Sequence, residues 1–232
     1  MKNAKVQFST TKKKYLNFLK KQEILGEPFY NKLGQLNNFY LPICNFINKK
    51  YNLLNKTFII GLSGGQGTGK TTTAEILKLI LKNKYKLNTI SFSIDDFYKT
   101  RNDRIKMSKN VHKLFLTRGV PGTHDTKLLK KCFNSLLRKN FINFDIPKFD
   151  KSIDDRSPKK KWLKVKNKPD IVIFEGWCVG AKPQLKNSLI KPINELERYQ
   201  DKDSIWRHKV NNELKTKYKK IFKLIDFSIF LK

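Results

Sequence analysis

Thr57-Phe58-Ile59-Ile60-Gly61-Leu62-Ser63-Gly64-Gly65-Gln66-Gly67-Thr68-Gly69-Lys70-Thr71-Thr72 is the stretch on which the reading of this chain turns. Thr57 to Leu62 is apolar and β-prone. From Thr72 to Lys82 the apolar residues Ala74, Leu77, Ile80 and Leu81 recur at helical spacing. Between them lies G-x-x-x-x-G-K-T, Gly64 to Thr71, the P-loop pattern. It stands where its mechanism needs it, between a buried strand and a helix N-terminus. Glycines let backbone N–H groups curl around phosphate oxygens where a Cβ would obstruct them, and the helix start adds a positive dipole end. The pattern assigns Gly64, Gly65, Gln66, Gly67, Thr68, Gly69, Lys70, Thr71 and Thr72 to ATP binding. Lys70 would reach the β- and γ-phosphates, and the Thr71 hydroxyl would sit on Mg²⁺.

Outward from this stretch, 232 residues suffice for one α/β domain with a core and a small appendage. No apolar run approaches the ~18 residues that span a bilayer, so no membrane partner is expected. Met1 to Lys21 is basic but lacks the apolar segment of a secretory signal. Cys44, Cys132 and Cys178 are scattered without metal-ligand spacing, which suits a reducing, cytoplasmic setting. The net charge of +31 invites a nucleic-acid reading. Yet the lysines are spread through every segment among many asparagines, the mark of a compositional bias, and no specific nucleic-acid partner is expected. Seven of the fifty basic residues are arginine, so an arginine here marks a place where the planar fork is needed; Arg118, Arg156 and Arg207 fall in motif-like stretches. Oligomeric state is not legible in the sequence.

Residues 1–56 read as an N-terminal helical extension packed on the core, with one helical pattern from Lys12 to Leu25 and another from Phe29 to Tyr51, interrupted at Pro42. Residues 57–232 form the main domain. Asn88 to Ile94 is a second strand, ending in Asp95-Asp96-Phe97-Tyr98. A polar helical stretch covers 103–116, a Gly/Pro loop 118–125 and a helix 126–138. Ile146 to Phe149 is expected to pair with Trp162 to Val165 as a hairpin. Ile171 to Phe174 is a continuous apolar run, as in a strand buried on both faces, and ends in Glu175-Gly176-Trp177. Residues 179–205 read as irregular and lid-like, 205–224 as helix and 227–231 as a last strand. Alternating strands and helices predict an α/β fold: a three-layer sandwich of a mostly parallel sheet with helices on both faces.

Phosphoryl transfer needs a phosphate cradle, a metal site, a base and cationic charge on the transferred group. The P-loop supplies the cradle, with Lys70 as a catalytic cation. Thr71 and Glu175, an acid closing an apolar strand, are the expected metal ligands. Acids at the carboxyl ends of parallel strands lie on the ligand edge of such a sheet. Asp95 is the expected base for an acceptor hydroxyl, with Asp96 beside it. His124 and Asp125 are candidates for substrate contact, although Asp125 equally suits the N-cap of the next helix. Arg118, Lys151 and Arg156 are candidate anion clamps. Asn167-Lys168-Pro169-Asp170 fits the guanine-reading N-K-x-D pattern, but its strand follows it where a GTPase strand precedes it, and the match is read as chance.

These residues together resemble a known family. Gly64 to Thr72, Ser93-Ile94-Asp95-Asp96-Phe97-Tyr98, Arg118-Gly119-Val120-Pro121-Gly122-Thr123-His124-Asp125, Pro147 to Ser152 with Asp155-Arg156, Glu175-Gly176-Trp177 with Gly180, and Trp206-Arg207 with Asn211 are similar to the plant and fungal type D-glycerate 3-kinases. These are relatives of uridine kinase, phosphoribulokinase and pantothenate kinase. The resemblance implies a five-stranded parallel sheet, an ATP and Mg²⁺ site, a small-molecule acceptor such as glycerate, and Asp95 as base. Tyr98 and Asp150 join the acceptor-side residues through the same stretches. Two departures stand out. Only Ile153 and Asp154 separate Ser152 from Asp155, where the family carries a longer Gly-rich insert. The chain also stops at Lys232, where relatives continue with C-terminal helices, so the domain is either minimal or truncated.

Overall fold

A parallel four-stranded sheet carries the P-loop at its carboxyl edge. The computed structural model describes residues 2–23 and 28–232, with side chains from Phe8 onward. Leu25, the end of the first helical pattern, lies outside them. The strands β1 (Phe58–Gly64), β2 (Thr89–Ser93), β7 (Ile171–Glu175) and β8 (Phe227–Leu231) lie in the order β2-β7-β1-β8. The apolar run of β7 is central because it is buried on both faces and has no polar side to give to water. Register brings Glu175 level with Leu62 of β1 and Ser93 of β2, so an acid, the P-loop and the Asp95-Asp96 turn share one edge.

Alternation along β1 divides the core. Phe58, Ile60 and Leu62 face one side with Ile171 and Ile173. There they meet Ala74, Ile76, Leu77, Ile80 and Leu81 of α4 (Lys70–Tyr85), Tyr15 and Leu19 of α1 (Lys2–Glu23), and Cys44 and Ile47 of α3 (Leu41–Leu54). Ile59, Val172 and Phe174 face the other side, against Leu129, Cys132, Phe133 and Leu136 of α6 (Thr126–Leu137) and Ile221 of α9 (Lys219–Phe222). The three-layer α/β expectation holds.

Several expectations change in detail. Among the described residues the sheet has four strands, not five: the outer edge of β8 carries no further strand, and the remaining strands pair with each other. The hairpin is split. β3 (Phe144–Ile146) pairs with β6 (Leu163–Val165), whereas Phe149 of β4 (Phe149–Asp150) pairs with Arg156 of β5 (Asp155–Arg156). Pro147 lies between β3 and β4, and without an N–H it cannot extend a ladder. Pro42 does not break its helix. A short α2 (Lys32–Gln35) runs through a π turn, Leu36–Tyr40, into α3, whose first turn needs no N–H from Pro42. The polar stretch 103–116 is α5 (Arg101–Asn110) and then a 3₁₀ turn, Lys113–Leu116.

Residues 179–205 are less irregular than expected. They hold a 3₁₀ turn, Lys186–Leu189, and α7 (Glu195–Gln200), and Arg207 of α8 (Ile205–Glu213) bonds back to the carbonyls of Leu189, Ile190 and Asp201. The N-K-x-D match is structural. The Asp170 carboxylate accepts from the Asn88 N–H at 2.7 Å and from the Tyr51 hydroxyl, and the Pro169 carbonyl accepts from Thr57 Oγ1 at 2.8 Å, so this segment clamps the amino ends of the strands. The three cysteines are buried and unpaired by disulfides. Among the described residues no helix is long and apolar enough to cross a membrane.

Candidate active site

The loop between β1 and α4 is built to receive phosphate. Gly67 and Gly69 have φ of 81° and 78°, and a Cβ on either would meet nothing within 4 Å, so both face open space. Gly69 is the N-cap of α4 and brings no side chain to cap it, which leaves the first N–H groups of the helix available to an anion. Lys70 folds back onto the loop, donating to the Gly65 carbonyl at 2.6 Å, and Thr68 Oγ1 donates to the same oxygen at 2.9 Å. Gln66 is exposed at the tip.

Across the edge, the Thr71 hydroxyl donates to Glu175 Oε1 at 3.2 Å. A hydroxyl and a carboxylate are hard oxygen donors, and Mg²⁺ typically takes one or two such groups and completes its shell with phosphate and water. The pair therefore fits that ion. Burial is the main influence on Glu175 and raises its pKa. The Thr71 hydrogen bond and the charge of Lys70 oppose the rise, and Asp95 and Asp96 add to it. A buried carboxylate with a raised pKa costs stability once ionised, so the nucleotide-free protein loses stability as pH rises through that value. Glu175→Gln is expected to melt about 2 °C higher at neutral pH and to weaken Mg²⁺-dependent nucleotide binding. Melts from about pH 4 to about pH 8, in which the variant and native curves coincide, would contradict this role of burial.

Gly176 follows Glu175 because there is no room for more. A Cβ there would lie 2.3 Å from Ile94 Cγ2, in the residue just before Asp95. The two acids diverge because Ser93 caps the 3₁₀ turn Ile94–Phe97 with a reciprocal capping box. Asp96 is the N3 partner, accepting from the Ser93 N–H at 3.2 Å, buried, and paired with Lys148 at 3.0 Å. Asp95 is half-buried, pairs with Lys151 at 2.9 Å and hydrogen-bonds Tyr98. Burial first, then the charge of Asp95, push the Tyr98 phenol far up. Lys70, Asp95 and Asp96 all act on Glu175 electrostatically, so donor and acceptor groups meet at one edge.

The structure separates the remaining candidates. His124 is buried against Tyr98, its ring stacked at 4.4 Å, and burial lowers its pKa to about 3, so it stays neutral. Its Nδ1 lies 2.7 Å from the Tyr218 hydroxyl, which also accepts from the Gly122 N–H. Asp125 is the N-cap of α6, accepting from the Leu128 N–H at 3.0 Å, and its other oxygen meets Arg156 at 3.3 Å. Arg156 also donates to the Tyr98 carbonyl. Asp150 holds the turn at Ser152 through its N–H and hydroxyl. Arg118 pairs with Asp154. Sequence reasoning missed Tyr218, Lys148, Arg104 and Asp154. The scarcity of arginine was a usable signal for Arg104, which is 1% exposed and pairs with Asp154 at 2.9 Å. Burial tends to raise the Asp154 pKa, but hydrogen bonds from Arg104 and Arg118 prevail and hold it low.

A family model described as the phosphoribulokinase/uridine kinase family matches residues 59–190, more than half of the chain, from β1 through the 3₁₀ turn Lys186–Leu189. The chain is a P-loop kinase of that family. It is 34% identical over 193 residues to the uncharacterised kinase mug58 of Schizosaccharomyces pombe, covering 79% of this chain and 68% of that one. It is 29% identical over 178 residues to the chloroplastic D-glycerate 3-kinase of Arabidopsis thaliana, covering 69% of this chain and 39% of that one. Among solved structures, the D-glycerate 3-kinase of Cryptococcus neoformans var. grubii superposes with a TM-score of 0.68 at 26% identity, covering 83% of this kinase and 72% of that chain. The kinase thus spans well under half of the Arabidopsis relative's length.

Proposed function

We propose that this kinase transfers the γ-phosphoryl group of ATP to a hydroxyl of a small metabolite, with D-glycerate as acceptor and 3-phosphoglycerate as product. The observation that carries the reading is the edge where Lys70, the Thr71–Glu175 pair and Asp95 converge. In it, Asp95 accepts the hydroxyl proton as the acceptor oxygen bonds to the γ-phosphorus and the bond to the β-phosphate oxygen breaks. Lys70 leaves the Gly65 carbonyl to neutralise charge on the phosphates, and Lys151, paired with Asp95, holds its carboxylate in place. Thr71 and Glu175 would hold Mg²⁺, which screens phosphate charge. Glycerate is favoured over other acceptors by the motif resemblance and by the two D-glycerate 3-kinases among the relatives. α1 and α3 pack on α4 and support it from behind.

The test is acceptor-stimulated ADP release measured with D-glycerate, uridine and pantothenate. Stimulation by D-glycerate above the other two is expected. Stimulation by another member of the panel moves the acceptor assignment, and none from any of them, in folded protein that binds ATP, removes the kinase reading.

A further inference from the structure

In a chain that uses lysine for 43 of its fifty basic residues, three of the seven arginines converge on one cleft. It measures about 430 Å³ and is lined by Arg101, Arg104, Leu116, Thr117, Arg118 and Asp154. Arg104 is buried to 1% exposure, which is costly for a cation unless its donors are used. Nη1 donates to the Leu116 carbonyl at 2.8 Å and Nη2 to the Asp154 carbonyl at 2.6 Å, which presents the fork to the Asp154 carboxylate. Arg118 takes the other carboxylate oxygen. The ring of Phe149 backs both guanidiniums, 5.9 Å from Arg104 and 5.6 Å from Arg118. Its other neighbour is Tyr98, which carries the link to Asp95.

Asp154 reaches this place at a conformational cost. It sits in the turn between β4 and β5 with φ of 54°, a left-handed backbone that a non-glycine residue rarely adopts. Ile153, next to it, is exposed, so the turn is not pinned by packing. Even with Asp154 in place, the cleft lining carries three guanidiniums against one carboxylate. Planar forks suit a carboxylate or phosphate group, which each can bind through two parallel hydrogen bonds.

We propose that this cleft is a binding site for a small oxyanion, a carboxylate or phosphate group, and that Asp154 is a tethered occupant which the ligand displaces or joins. No P-loop residue lines the site, and Phe149 and Tyr98 stand between it and Asp95. The group can belong to the acceptor of the reaction proposed above or to a separate phosphorylated metabolite. Arg101, on the exposed first turn of α5, supplies the cation that Asp154 does not engage.

The experiment titrates inorganic phosphate into the full chain by calorimetry, with the P-loop saturated by Mg²⁺ and a non-hydrolysable ATP analogue. One phosphate is expected to bind. Asp154→Asn is expected to bind it about tenfold tighter, the effect of removing one like charge beside the ligand. Arg101→Ala is expected to bind it about tenfold weaker. No heat from phosphate in either the native chain or Asp154→Asn overturns the proposal, as does an affinity that Arg101→Ala leaves unchanged. Should Asp154→Asn prove unstable in a thermal melt, the comparison of Arg101→Ala with the native chain decides alone. D-Glycerate added to the phosphate-loaded protein separates the sources: competition means that the acceptor's carboxylate uses the cleft, and simultaneous binding means a second metabolite. A fluorescent ATP analogue reads the P-loop independently, so failed nucleotide binding sinks the kinase reading without deciding the cleft.

Discussion

Asp95→Asn is expected to lower kcat by about 10²–10⁴ while leaving ATP affinity within about twofold of native. The substitution is nearly isosteric. The backbone of the turn is held independently, since the Asp95 N–H donates to Ser93 Oγ and Asp96 completes the capping box. The Tyr98 hydroxyl can still donate to an amide oxygen. What disappears is the carboxylate that would take the acceptor proton and that now pairs with Lys151. Asp96→Asn is the internal control. Asp96 is buried, bonded to the Ser93 N–H and paired with Lys148, so its loss should act on stability more than on turnover. Acceptor-dependent turnover and nucleotide titration on the two variants check this. Native turnover in Asp95→Asn would remove that residue as the base.

Arg207→Leu is expected to destabilise the protein by about 3–5 kcal/mol, a fall of about 10 °C in melting temperature. Arg207 is 6% exposed and donates to the Asp201 carbonyl at 2.6 Å, to the Asp201 carboxylate at 2.9 Å, and to the Leu189 carbonyl at 2.7 Å. Asp201 is itself buried and also accepts from the backbone N–H groups of Trp206 and Arg207. A leucine restores apolar volume but leaves a buried carboxylate without its cation and several carbonyls without donors. Arg207 ties Leu189, Ile190 and Asp201 to α8, so limited proteolysis should cut between residues 186 and 204 first in the variant. Arg207→Lys keeps the charge without the fork and should fall between the two. A melting temperature within about 2 °C of native for Arg207→Leu would mean that the segment is held by other contacts.

Both residues were legible in the sequence to different depths. Asp95 closes an alternating strand, and strand ends in such a sheet define the ligand edge, so its position followed from local pattern. Arg207 was marked only by the rarity of arginine and the motif around it. Its partners lie on a stretch that reads as irregular, because an anchor made of backbone carbonyls leaves no periodic trace. The hairpin shows the same limit. Ile146, Phe149 and Val165 are all apolar and all buried, and composition alone does not say which strands pair.

Features that depend on neighbours a few positions away are legible in the sequence. The strand, glycine loop and helix from Phe58 to Tyr85 are of this kind, as is the buried run Ile171–Glu175, whereas the Asp125 cap was one of two open readings and the Ser93 capping box that sets Asp95 apart from Asp96 came from the structure. Helical period, strand burial and capping all act within one or two turns. Tertiary packing alone brings distant polar side chains together. Arg104 and Asp154 are 50 residues apart and His124 and Tyr218 are 94 apart. Their contacts follow from how layers stack on the sheet, and no local spacing records that. A four-residue turn between β4 and β5 thus places the Asp154 carboxylate between the guanidiniums of Arg104 and Arg118, against the ring of Phe149.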